Sequence, residues 1–129
     1  MSEPPSPAAD RATPRLVAAT IDCVDLDGMT TFWSTLLGVP IRAVQGGFGF
    51  LDAPDGTGVA IWLQEVPEPA AVKTRIHLDL SAADLDATLQ RVRELGGTVG
   101  ARHEWHGYIW NQCFDPEGNV FDVMQMPPT

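Results

Sequence analysis

Basic residues are scarce. The 129-residue chain has 8 lysines and arginines against 17 aspartates and glutamates, a formal net charge of −9. A nucleic-acid binder needs a basic stripe and a protein docked on anionic lipid needs basic clusters, so neither partner is expected. The acidity itself only favours solubility. Cysteine is nearly missing, with Cys23 and Cys113 alone, both in apolar, strand-like stretches. Two reduced, buried thiols in a cytoplasmic protein are the default reading. A bridge between them stays open, because sequence does not give their separation. Long apolar runs are missing too. None approaches a membrane span, and the N-terminus shows neither the basic flank nor the apolar core of a signal peptide.

What is present reads as one globular domain. Hydrophobic residues make up 44% of the chain, too many for a disordered one, and the length suits a single core. Residues 1–14 hold Pro4, Pro5, Pro7 and Pro14 without an apolar period and read as a flexible tail. The rest, 15–129, reads as one domain of two modules, about 15–66 and 73–126. Residues 16–24 read as a strand. Asp25 or Asp27 can cap a helix whose apolar face is Met29, Phe32, Trp33, Leu36 and Leu37, stopped by Gly38 and Pro40. Strand candidates follow at 41–44, 48–51 and 59–64, the last two separated by a Pro54-Asp55-Gly56 turn.

After a proline-containing linker the pattern repeats. Residues 75–80 read as a strand, and Ser81 can cap a helix with Asp84 near its start. Leu85, Leu89, Val92 and Leu95 form the apolar face, and Gly96 and Gly97 end the helix. Strands are expected at 98–102, 108–114 and 120–125, the last two split by Asp115-Pro116-Glu117-Gly118-Asn119. Each half is too small to bury a sheet face alone, so the halves should pack together.

Asp25, Phe32-Trp33 and Leu36-Leu37-Gly38, with the closing stretch from Asp115 to Asp122, resemble the vicinal oxygen chelate superfamily. That group includes glyoxalase I, bleomycin-resistance proteins and extradiol dioxygenases. The Asp22-Cys23-Val24-Asp25 opening and the Trp-containing strands look most like a bacterial glyoxalase-like branch. The resemblance implies an α+β fold of two tandem βαβββ modules. Their eight strands form a U-shaped mixed sheet around a ligand cleft, with the helices outside. It also implies pairing, as a homodimer or by module exchange.

Strand alternation assigns faces. Val17, Ala19 and Ile21, then Val59, Ile61 and Leu63, then Ile76, Leu78 and Leu80, and Phe121 with Val123, should lie under the helices. Ala18, Thr20 and Asp22, then Ala60, Trp62 and Gln64, then His77, Asp79 and Ser81, and Val120, Asp122 and Met124, should face the cleft. Metal-dependent relatives take one ligand from the first and last strand of each module. By that resemblance the positions here are Ala18, Trp62, His77 and Asp122. Only His77 and Asp122 can bind a divalent Fe, Ni, Zn or Mn ion, so the site is incomplete and no cofactor is the default. His103 and His106, in a loop with Gly107, read as solvated or cleft-rim residues. Trp62 and Trp110, with Phe50, Gln64, Asp79, Tyr108 and Met124, are the candidate ligand-binding residues, suited to an apolar or aromatic molecule.

Three functions fit. One is a small-molecule-binding protein without a full metal site, supported by Ala18, Trp62 and the aromatic cleft. The second is a lyase, isomerase or dioxygenase using His77 and Asp122 as partial metal ligands or as a metal-free acid–base pair. The third is a structural or regulatory dimer with a vestigial cleft.

Overall fold

The computed structural model describes residues 12, 15–54, 58–72 and 74–125. Most of the proline-rich segment, two residues of the Pro54-Asp55-Gly56 turn and the last four residues lie outside that set. The expected repeat is present. Module one runs β1 (Ala18–Cys23), α1 (Leu26–Leu37), β2 (Ile41–Gln45), β3 (Phe48–Leu51) and β4 (Ala60–Glu65). Module two runs β5 (Leu78–Ser81), α2 (Leu85–Glu94), β6 (Thr98–Trp105), β7 (Tyr108–Phe114) and β8 (Val120–Gln125). The eight strands form two four-stranded mixed sheets of identical order, β1-β4-β3-β2 and β5-β8-β7-β6. In each module the first strand lies parallel to the last, and the remaining pairs are antiparallel.

The helices form where caps and apolar spacing agree. The Asp25 carboxylate accepts the Gly28 N–H at 3.1 Å at the start of α1, and Gly38, in the left-handed region, ends it. Asp84 caps α2 through the Ala87 N–H at 3.1 Å. Ser81 does not cap, because it is still in β5, opposite Met124. Leu26, Met29, Phe32 and Trp33 of α1, and Leu85, Leu89 and Val92 of α2, join Ile61, Leu63, Phe121 and Val123 in one core. Three residues assigned to that core, Val17, Val59 and Ile76, lie outside it. Val17 is 50% exposed and Ile76 83% exposed. All three precede their strands, where full strand pairing no longer enforces the alternation, although the Val17 carbonyl still accepts the Ala60 N–H at 2.9 Å.

The modules are fastened by the β7–β8 turn. Buried Asp115 accepts the Trp33 indole N–H of α1 at 3.3 Å, and the same carboxylate gathers N–H groups of Glu117 and Asn119. Glu117 accepts the backbone N–H groups of Val24 and Asp25, each at 2.7 Å. Trp33 and Phe32 meet Phe121 edge-on, with ring centroids 5.0 and 6.3 Å away. Burial pushes the Asp115 carboxyl above the ordinary carboxylate value, while its hydrogen bonds from Asn119, Glu117 and Trp33 pull it back.

Cys23 and Cys113 are free and buried, and burial pushes each thiol up to about 11. Folded protein should therefore react slowly with a disulfide-forming thiol reagent below pH 9. Denatured protein should release two equivalents at once. The linkage sign follows. An unfolded thiol ionises near its ordinary value of 9.0 while the folded one keeps its proton to about 11, so stability falls as pH rises through that window. Fast labelling of folded protein would contradict the burial of these thiols.

Candidate functional site

The outward face of the second sheet is built by alternation along β7. Ile109, Asn111 and Cys113 turn toward the helices, which leaves Tyr108, Trp110 and Gln112 on the other side. Register then sets the neighbours. Trp110 lies opposite Met124 and Gln112 opposite Asp122, while Asp79 on β5 lies opposite Asp122 from the far side. On β6, His103 is opposite Trp110 and Trp105 opposite Tyr108. These pairs stack, His103 on Trp110 at 5.5 Å and Trp105 on Tyr108 at 6.0 Å between centroids. Asp79, Trp105, Tyr108, Trp110, Asp122 and Met124 together line a hollow of about 330 Å³.

Two of these residues, His103 and Trp105, fall outside the sequence-based candidate set. The expected strand stopped at Arg102, but β6 continues to Trp105 and a two-residue turn of His106 and Gly107 returns the chain. Both turn residues have positive φ, 49° and 85°, the geometry that suits a tight hairpin. His106 is an uncommon residue there, so the turn lacks the Asn-Gly or Asp-Gly signature. The alternation of His103 and Trp105 was the available signal. His103 thus belongs to a strand, not to the loop expected for it.

At one end of the hollow His77 sits between two carboxylates. Its Nε2 is 3.3 Å from Asp79 Oδ1 and 3.3 Å from Asp122 Oδ2. His77 immediately precedes β5, one residue before the strand that was expected to contain it. The three ligand atoms lie within 4.8 Å of one another, with His77 and Asp79 exposed and Asp122 partly buried. One imidazole and two carboxylates from one module can therefore approach a divalent ion. The four-strand ligand set implied by the resemblance is not met. Ala18 offers a methyl group and Trp62 an indole at the first-module positions, which stand on adjacent parallel strands. Asp79, which that pattern does not use, is the third donor.

The remaining candidates gather elsewhere. Phe50 meets Trp62 edge-on at 5.4 Å and stacks on Phe48 at 5.7 Å. Phe50 and Trp62 line a hollow of about 230 Å³ with Arg42, Leu51, Asp52, Ala53 and Ala60, where Arg42 pairs with Asp52 at 2.7 Å. Gln64 is the next residue on the cleft side of β4, opposite Phe48. Among the described residues neither hollow includes one from the other module, so the candidate ligand residues divide into two sets.

This fold and this arrangement define a class. A family profile for the glyoxalase-like domain matches residues 18–124. The chain belongs to the glyoxalase-like domain family, within the vicinal oxygen chelate superfamily. No curated protein is significantly similar in sequence. Among solved structures, the chain is similar to a glyoxalase/bleomycin resistance protein/dioxygenase family enzyme from Burkholderia phytofirmans PsJN. That match has a TM-score of 0.73 and 18% identity, covering 88% of this chain and 99% of the other. It is also similar to TnmS3, an antibiotic binding protein from Streptomyces sp. CB03234, with a TM-score of 0.69 and 22% identity over 91% and 99% of the two chains. Lactoylglutathione lyase from Agrobacterium tumefaciens gives 0.64 and 18% over 86% and 92%. At these identities the likeness establishes the fold, and function has to be argued from the site.

Proposed function

We propose that the chain is a small-molecule-binding protein of the glyoxalase/bleomycin-resistance type, without a full metal site. The observation that carries this reading is the aromatic hollow on the second sheet, walled by Trp105, Tyr108, Trp110 and Met124. Its volume of about 330 Å³ falls in the range of pockets that enclose small ligands, about 300–1,000 Å³. Large flat side chains there favour a planar apolar or aromatic molecule held by burial and stacking. Phe50, Trp62 and Gln64 stand in the proposal as a second, smaller ligand face. The antibiotic-binding relative of like fold supports the reading. Two free, buried thiols suit a cytoplasmic setting. Titration with acridine, a neutral planar probe, should quench tryptophan fluorescence saturably. Absence of saturable binding would overturn the reading.

The second reading is an enzyme, a lyase, isomerase or dioxygenase. It is favoured by one observation, the His77 imidazole held between Asp79 and Asp122 at the edge of the same hollow. A carboxylate on each side orients the ring and prepares it to accept or donate a proton. Metal analysis of protein purified without chelator separates the two. A stoichiometric ion lost in His77→Ala would favour the enzyme.

Pairing as a homodimer belongs to the same proposal. β1 and β5 each end their sheets, and exposed Leu16, Val17 and Ile76 lie beside them. Free strand edges flanked by apolar side chains invite a second copy. Light scattering should give twice the 13.9 kDa chain mass, and a value of 13.9 kDa would contradict pairing.

A further inference from the structure

We infer that the ligand of the second sheet is elongated, with a planar aromatic head on Trp110, a hydrogen-bonding group at Gln112 and an aliphatic tail on Phe114 and Val120. The inference rests on the binding reading above and names the chemical class that the site would take.

The sheet carries a second hollow, of about 280 Å³. Its walls include Gln112, Phe114 and Val120 of the sheet and Ala70, Ala71 and Val72 of the segment that joins the modules. Alternation places it on the same face as the aromatic hollow. Phe114 and Gln112 follow Trp110 at every second position of β7, and Val120 precedes Asp122 and Met124 in the same way on β8. The residues between them, Cys113, Phe121 and Val123, are fully buried on the helix side. The two hollows are therefore stretches of one groove along β7 and β8.

Register orders what the groove presents. Trp110 lies opposite Met124, then Gln112 opposite Asp122, then Phe114 opposite Val120. The order is aromatic, polar, apolar. From Trp110 to Phe114 the groove runs about 14 Å, at about 3.4 Å per residue. A ring system confined to the Trp110 end would leave the far end in water, where Val72 is 83% exposed. A tail that reaches Phe114, Val120 and Val72 buries apolar surface of its own and of the protein. The row between asks for a different group. The Gln112 amide both donates and accepts, so an amide on the ligand can meet it in either sense, whereas a plain alkyl chain would bury it unmatched.

The test compares acridine with the N-methyl and N-hexyl amides of acridine carboxylic acid, the amide carried on the central ring. Affinities are read by calorimetry on the full chain, and each variant is checked as folded by its melting curve. The N-hexyl amide should bind at least about tenfold more tightly than the N-methyl amide, because its tail reaches the far end of the groove. That gain should vanish in Phe114→Ala. Val72→Ser, at an exposed position that leaves the core intact, should cut the gain at least about threefold. Gln112→Leu should weaken both amides about fivefold and leave acridine unchanged. Equal affinity of the two amides, a gain that survives in either folded variant, or amides indifferent to Gln112→Leu would overturn the inference while leaving the binding reading standing. Failure of all three probes to bind would overturn both.

Discussion

Trp110→Ala should weaken acridine binding by about 30-fold, roughly 2 kcal/mol. Trp110 lies at the centre of the proposed site. Met124 faces it across β8, His103 stacks on it from β6 at 5.5 Å, and it lines the hollow with Tyr108 and Trp105. Truncation removes one of the two indole faces there and also frees the His103 ring. The side chain is only half-buried, on the face away from the core, so the variant should melt close to wild type. A loss of affinity without a loss of stability is the signature expected of a binding residue. Unchanged affinity would move the ligand off this face.

Asp115→Ala should have the largest effect on stability, about 3–4 kcal/mol, seen as a melting point roughly 10–15 °C lower. The Asp115 carboxylate is 2% exposed and accepts the Trp33 indole, the backbone N–H groups of Glu117 and Asn119, and the Asn119 amide. Alanine would strand those donors in the core and release the turn that presents Glu117 to Val24 and Asp25. The damage therefore spreads from one turn to the junction of the two modules. Asp115→Asn, which keeps one acceptor oxygen, should recover part of the loss. A cost below about 1 kcal/mol for alanine would show that the turn does not fasten the modules.

The duplication was legible because its signals are local. Asp25 and Gly38 bracket α1, and the Asp115–Asn119 turn announces β8, each within a few residues of the element it controls. Strand ends were less legible, because a strand ends where its partner ends. Ile76 continues the alternation of Leu78 and Leu80, yet β5 begins only at Leu78, opposite Phe121, where β8 has just begun at Val120. His103 and Trp105 were lost for the converse reason. Their partners Trp110 and Tyr108 extend β6 past the point where its own sequence turns polar.

The site was legible in its ingredients and, for His77 with a carboxylate beside it, in part of its grouping; both carboxylates on one imidazole were not. His77, Asp79 and Asp122 converge because parallel pairing of β5 and β8 sets Asp79 beside Asp122, a register that sequence does not print. Phe50 and Trp62 were expected to face the same cleft as Trp110, but a single chain keeps the two aromatic sets on separate sheets. The comparison of the two copies still carries the functional point. Where module two has His77 and Asp122, module one has Ala18 and Trp62, so at these four positions the ionisable side chains stand on one sheet.

The most direct test is to map acridine onto the protein by the shifts of backbone and indole N–H resonances during titration. The largest shifts should fall on Trp105, Tyr108, Trp110 and Met124, the aromatic wall of the second sheet. Shifts confined to the Phe50 and Trp62 face, or none at all, would contradict the assignment of binding to the second module.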